Sequence, residues 1–121
     1  NEQSLVLGGF SQGAMMAIGV ALSLKNPCAG VLAYSGAFAM SEEFKILSKP
    51  KVLLVHGKKD PIVPYELMHK TKQLLEKHKV LVDTVTCEDV GHSINLRGFT
   101  AGKQFIETIF SQQEGMQYGA Q

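Results

Sequence analysis

The stretch Leu5-Val6-Leu7-Gly8-Gly9-Phe10-Ser11-Gln12-Gly13-Ala14 narrows the possible folds more than any other part of the chain. A short apolar run leads into Gly9-x-Ser11-x-Gly13, and a helical pattern of small residues follows. This is the order of a strand, a sharp turn carrying a serine, and a helix. Such a turn holds its serine in a strained backbone conformation in which neighbouring side chains crowd one another. Glycines at positions 9 and 13 are expected to remove those clashes. The serine oxygen then stands clear of a sheet. The backbone N–H of Gln12 opens the helix, where donors lack partners and the dipole favours negative charge, so it is a candidate oxyanion donor. By itself, Gly-x-Ser-x-Gly also fits an ordinary strand–helix turn. The rest of the chain must therefore supply a base and an acid.

Apolar periodicity predicts four strands, at residues 4–8, 29–34, 51–55 and 80–86. The first three are apolar on both faces, as in a parallel sheet covered by helices. The fourth alternates and carries Asp83, which marks an edge. Three helices are predicted. Residues 12–25 are apolar almost all round and should be buried, with Gly13, Ala17 and Ala21 as a thin face against a sheet. Residues 64–79 present Leu67, Thr71, Leu74, Leu75 and His78 on one stripe. Residues 96–110 turn Phe99, Phe105, Ile106 and Ile109 inward. A short helix is expected around 42–47. Residues 1–110 form the folded part, and the polar, Gly/Gln-rich residues 111–121 are expected to be a frayed tail. The alternation of strands and helices gives an α/β layered fold with right-handed parallel crossovers.

In such sheets, sites form at the carboxyl ends of the strands. Ser11, Asp60 and His92 each follow a strand, so all three are expected on one rim. A serine hydroxyl is a poor nucleophile at neutral pH. It needs a base within hydrogen-bond reach, and the base needs a carboxylate that fixes its tautomer and stabilises its charged form. His92, after Gly91 in the loop beyond the last strand, is the best-placed base. His69 and His78 sit within a helix, and His56 stands at a strand end beside Gly57. Asp60 is the best-placed carboxylate, in a turn pinned by Pro61 and Pro64, although Asp-Pro is also a common turn pair. Asp89 and Glu88 are rivals on the histidine's own loop. The order Ser, Asp, His is that of the α/β-hydrolases.

Composition narrows the partners. A chain of 121 residues with 45% hydrophobic and 19% charged residues makes one globular domain or less. A formal net charge of +1 and the lack of any basic run argue against nucleic acid or an anionic membrane as partner. The first apolar run is too short to span a bilayer. Cys28 and Cys87 have no metal-ligand spacing and read as small apolar fillers, with a disulfide left open. No metal or cofactor is called for. The first residue, Asn1, is not an initiator methionine, which suggests a piece of a longer protein, and the default compartment is cytoplasmic.

The segment Gly8-Gly9-Phe10-Ser11-Gln12-Gly13-Ala14-Met15 resembles the nucleophile segment of the phospholipase/carboxylesterase family, which includes the acyl-protein thioesterases. Val55-His56-Gly57-Lys58-Lys59-Asp60-Pro61-Ile62-Val63-Pro64 resembles that family's acid loop, and Gly91-His92-Ser93-Ile94 its histidine loop. The resemblance implies an α/β-hydrolase-type parallel sheet with flanking helices, of which this chain is the C-terminal half with the first strands missing. It implies Ser11 as nucleophile, Asp60 as orienter, His92 as base and then acid, and the Gln12 N–H as an oxyanion donor. It further implies an acyl-serine route for small-molecule esters or thioesters. Family members carry about as much chain again before the elbow strand, including a His-Gly-x-Gly-like loop that supplies a second oxyanion donor. His56-Gly57 leads into the acid loop and does not replace it. The alternative is therefore an inactive fragment of a split or truncated hydrolase, with self-association or a partner chain at the open sheet edge. A serine peptidase or dienelactone-type hydrolase would keep the fold, but the Phe10-Ser11-Gln12 neighbourhood fits the esterase branch better. Met15, Met16, Ile62 and Val63 are candidates for an acyl groove, although the two methionines are expected in the core.

Overall fold

The structure is a computed structural model that describes residues 2–119, with side chains through residue 113. After a single 3-10 turn at Glu2–Ser4, the elements run β1 (Val6–Phe10), α1 (Gln12–Ser23), β2 (Gly30–Tyr34), β3 (Val52–Gly57), α2 (Glu66–Lys77), β4 (Val82–Cys87) and α3 (Leu96–Gly119). All strand pairs are parallel, in the order β1-β2-β3-β4. Each crossover is long enough to cover a face of the sheet, which is what parallel pairing requires.

Alternation along β2 and β3 divides the interior in two. Val31, Ala33, Val52 and Leu54 face one way and meet Ile18, Ala21 and Leu22 of α1 and Met68 and Leu75 of α2. Leu32, Leu53 and Val55 face the other way and meet Phe105 and Ile109 of α3. α1 and α2 thus cover one face and α3 the other. Each fully buried aliphatic side chain contributes about 1.5–3 kcal/mol over an exposed one. Cys28 belongs to the first cluster and Cys87 to the second, so the sheet lies between them and both are free thiols. Burial raises the pKa of each above its ordinary value.

Several expectations are corrected. β1 does not end at Gly8-Gly9. Both glycines stay in register with Leu32 and Ala33 of β2, and the strand runs on to Phe10. β1 is also only partly buried, because it is the outer strand opposite β4. β4 is an edge as expected, and Lys51 pairs with Asp83 there at 3.2 Å. α1 is not buried all round. Ala14, Ala17, Ile18, Ala21 and Leu22 face in, whereas Met15 (45% exposed), Met16 (67%) and Val20 (49%) face out. The thin face is therefore an alanine stripe without Gly13, and neither methionine is in the core.

On α2 the buried residues are Met68, Thr71 and Leu75, while His78 is exposed at the helix end. On α3, Phe99 points outward and the buried line runs through Gly98, Gly102, Phe105 and Ile109. The two glycines decide this. A Cβ on Gly102 would overlap the Tyr34 hydroxyl, and one on Gly98 would sit 3.2 Å from Val55 Cγ1, so the bare face of the helix lies on the sheet. The Tyr34 hydroxyl donates to the Gly98 carbonyl at 2.9 Å.

No helix forms at 42–47. The Leu47 and Ser48 amides donate to the Leu22 carbonyl at 2.8 and 3.2 Å, and the Ser48 hydroxyl donates to the Ala21 carbonyl at 2.9 Å. These bonds satisfy carbonyls that the end of α1 would otherwise leave without partners, and they draw the segment out as a strap. α3 continues through 111–119, over most of the segment read as a frayed tail, and residues 120–121 lie outside the described residues. No proline interrupts that stretch, and Gln113 ties it to the Gln3 carbonyl at 2.7 Å.

Candidate active site

Ser11 sits between β1 and α1 with φ 60° and ψ −119°, a region of backbone space that a side chain rarely tolerates. The turn survives because its surroundings over-determine it. The Ser11 amide donates to the Tyr34 carbonyl of β2 at 2.8 Å, and the Ser11 carbonyl accepts from Ala14 and Met15 at 3.0 and 3.3 Å. Gly9 is required here, since a Cβ would overlap the Gly13 carbonyl group and lie 2.7 Å from the Ala14 nitrogen. Gly36, which sequence reasoning passed over, is equally tight, at 2.5 Å from the Ser11 carbonyl oxygen and 2.7 Å from Ala14 Cβ. Gly13 is different. A Cβ there meets nothing within 4 Å, so the expected steric role of Gly13 is not found. Gln12 opens α1, and its N–H is among the first-turn donors that have no acceptor inside the helix.

Asp60 and His92 lie on loops after β3 and β4, and those two strands are paired up to Gly57↔Cys87. The loops are joined to each other. The Lys58 amide donates to the Cys87 carbonyl at 2.9 Å, and the Lys59 amide to the Val90 carbonyl at 3.0 Å. Gly57 permits this approach, because a Cβ would overlap the Val90 and Gly91 carbonyls. Ion pairs Lys58–Glu88 and Lys59–Asp89, at 3.3 and 3.4 Å, decorate the exposed side. The rival carboxylates Glu88 and Asp89 are thus turned to solvent lysines.

The structure brings the three candidate residues together. His92 Nδ1 is 2.8 Å from Asp60 Oδ2, and His92 Nε2 is 3.0 Å from Ser11 Oγ, across 81 positions of sequence. Asp60 Oδ1 accepts from the Ile62 and Val63 amides, both at 2.8 Å. Burial by itself raises the pKa of the Asp60 carboxyl, but the His92 hydrogen bond, the Val63 and Ile62 amides and the His92 charge outweigh it. The carboxyl is held below the ordinary carboxylate value. An ionised Asp60 only accepts, so His92 Nδ1–H is the donor, Nε2 carries the free lone pair, and the Ser11 hydroxyl donates to it. Asp60 has a fully buried side chain, whereas that of His92 is 19% exposed, so the relay opens to solvent at the serine end. Phe10 packs against His92 with ring centres 4.8 Å apart.

The depressed carboxyl predicts a pH effect on stability. A group whose pKa is lower when folded adds stability above its unfolded value and loses it as pH falls through the folded value. Wild type is expected to exceed Asp60→Asn in melting temperature near neutrality, and that margin should shrink as pH falls below 3.8. Thermal unfolding of both proteins across that range checks this, and a margin that grows on acidification contradicts it.

A family model described as phospholipase/carboxylesterase matches residues 1–110. The chain belongs to the phospholipase/carboxylesterase family. Among curated members, acyl-protein thioesterase 1 of Neurospora crassa is 33% identical over 109 residues, covering 84% of this chain and 44% of that protein. Acyl-protein thioesterase 1 of Gibberella zeae is 34% identical over 98 residues, covering 75% and 42%. Among solved structures, esterase PE8 superposes with a TM-score of 0.86 at 32% identity, over 90% of this chain and 52% of that one. Arabidopsis thaliana SOBER1, at 21% identity and a TM-score of 0.84, shares the fold. This member of the family spans about half the length of the relatives it matches. Among the described residues, no helix is long and apolar enough to cross a membrane, and no three His, Cys, Asp or Glu side chains converge on a metal position.

The residue that sequence reasoning undervalued is His56. It is 1% exposed, and its Nε2 lies 2.8 Å from the Val63 carbonyl oxygen and 3.4 Å from Asp60 Oδ2. Its place directly after the apolar run 52–55 was the available signal.

Proposed function

We propose that this chain carries the catalytic residues of a serine hydrolase that cleaves carboxylic esters or thioesters through an acyl-Ser11 intermediate. The supporting observation is the continuous relay from Ser11 Oγ through His92 to a buried carboxylate, at 3.0 and 2.8 Å, on a serine with positive φ. Ser11 Oγ attacks the substrate carbonyl carbon and its proton passes to His92 Nε2. The tetrahedral oxyanion forms beside the Gln12 N–H at the start of α1, where donor and dipole favour it. Collapse expels the alcohol or thiol, which takes the proton from His92. Water then attacks the acyl group, with His92 as base, and releases the carboxylic acid and free Ser11. Phe10 beside His92 and the exposed Ile62 beside Asp60 supply apolar surface for the acyl portion. Neither a metal nor a cofactor enters any of these steps.

A fluorophosphonate probe is expected to label wild-type protein at Ser11 and to leave Ser11→Ala unlabelled, as read by mass spectrometry of the modified peptide. A folded, complete protein that stays unlabelled overturns the reading.

The second reading, an inactive piece that needs a partner chain, is favoured by the free outer side of β1 and the exposed Met16 and Val20 of α1. A strand added at that edge would pair with β1 and bring a second oxyanion donor, whose absence costs about 10²–10³ in rate. Size-exclusion chromatography with an esterase assay decides it, since a monomer that turns over substrate rejects this reading.

A further inference from the structure

We propose that His56 is a positioning residue for Asp60, closing the acid loop from inside the sheet and fixing the carboxylate in the orientation that meets His92. The proposal rests on the reading of Asp60 as the acid of the relay.

The Val63 carbonyl fixes the direction of the first bond. It only accepts, so the His56 Nε2 that lies 2.8 Å from it carries a hydrogen. That same nitrogen lies 3.4 Å from Asp60 Oδ2, the oxygen that accepts from His92. The Val63 amide in turn donates to Asp60 Oδ1. His56, Val63 and Asp60 therefore form a closed ring of polar contacts in which both carboxylate oxygens are engaged. Rotation of the carboxylate, which would turn Oδ2 away from His92, breaks the Val63 and Ile62 bonds at one oxygen and the His56 and His92 contacts at the other.

His56 can hold that ring because it cannot move. It is the penultimate residue of β3, paired in register with Thr86 of β4. The Tyr65 ring stands edge-on to it at 6.3 Å, and the Tyr65 hydroxyl is itself tied to Thr86 Oγ1 at 2.7 Å. The titratable groups facing the imidazole are Asp60 on its own loop and Tyr65 at the start of α2, with His92 reached through Asp60. A histidine placed there only to fill space would not need its donor bonded to the Val63 carbonyl, with the carboxylate oxygen that the relay uses 3.4 Å away.

The test compares His56→Phe, which keeps a ring against Tyr65 but has no donor, with His56→Gln, which places an N–H close to the Nε2 position. Three quantities are read: the rate of fluorophosphonate labelling at Ser11, the carbon-13 titration of the Asp60 carboxyl, and the proton resonance of His92 Nδ1–H. His56→Phe is expected to label about tenfold more slowly, as the Val63 carbonyl loses its donor and the loop that fixes Asp60 loosens. Its Asp60 is expected to titrate at higher pH, because the Val63 and Ile62 amides and His92, which favour the charged form, are then less firmly held against it. The His92 resonance should move as well, and His56→Gln should restore most of all three. A folded His56→Phe protein whose Asp60 titration and His92 resonance match wild type overturns the proposal, as does identical behaviour of the two variants. If His56→Phe does not fold, His56→Asn, too short to reach Val63, replaces it in the same comparison. Failure of wild type to label would count against the hydrolase reading, while the two magnetic-resonance readouts would still judge His56.

Discussion

Replacement of His92 by alanine is expected to slow labelling of Ser11 by about 10⁴-fold or more, with the fold intact. The size follows from the geometry. His92 is the one imidazole that bridges Ser11 Oγ, at 3.0 Å, and Asp60 Oδ2, at 2.8 Å. Without it the serine must lose its proton to water, and the carboxylate has no group through which to act. The fold should survive because His92 is on a loop and partly exposed, and the loop is held by backbone bonds from Lys58 and Lys59 that do not involve its side chain. His78→Ala, at the exposed end of α2, is the matched control and should label as wild type. Labelling of His92→Ala within tenfold of wild type would remove the histidine from the mechanism, and the hydrolase reading with it.

The elements most legible in the sequence were those fixed by local chemistry. β3 and the start of α1 were readable because a β-branched and leucine run ended by His56-Gly57, and a serine flanked by small residues, each admit few conformations. That Ser11, Asp60 and His92 share one rim followed from topology, since each loop leaves the carboxyl end of a parallel strand. What was not legible depends on neighbours. The inward face of α3 is chosen by Gly98 and Gly102 lying on Tyr34 and Val55, a close approach that apolar periodicity does not register, and so periodicity turns Phe99 inward although it points out. The strap at 42–47 has helical composition, yet at its end the Leu47 and Ser48 amides go to the Leu22 carbonyl of α1. The outer face of α1 reads as core because apolar residues surround that helix, and only the three-dimensional neighbours reveal that Met15, Met16 and Val20 are uncovered. His56 escaped for a related reason: its place at the end of an apolar strand signals burial, but its partners Val63 and Asp60 are seen only once the loop is folded back on it.

The glycines of the elbow give the sharpest contrast between motif and physics. Gly9 and Gly13 occupy equivalent places in Gly-x-Ser-x-Gly, and the motif treats them alike. Gly9→Ala is expected to destabilise by about 3 kcal/mol or more and to abolish labelling, because its methyl group would occupy the space of the Gly13 carbonyl. Relief requires α1 to lift from β1, which carries Ser11 away from His92 and breaks the Ser11–Tyr34 backbone bond. Gly13→Ala should do the opposite. Its methyl meets nothing within 4 Å, and alanine in the first turn of α1 costs less chain entropy than glycine, by up to about 1 kcal/mol. The variant should therefore be as stable as wild type or slightly more so, and should label at the same rate. Thermal unfolding and fluorophosphonate labelling of the two proteins side by side give the answer. Equal loss in both would mean that the space beside Gly13 is filled in the working protein. The surface next to Gly13 on α1, which includes Met16, would then be the first place to look for what fills it.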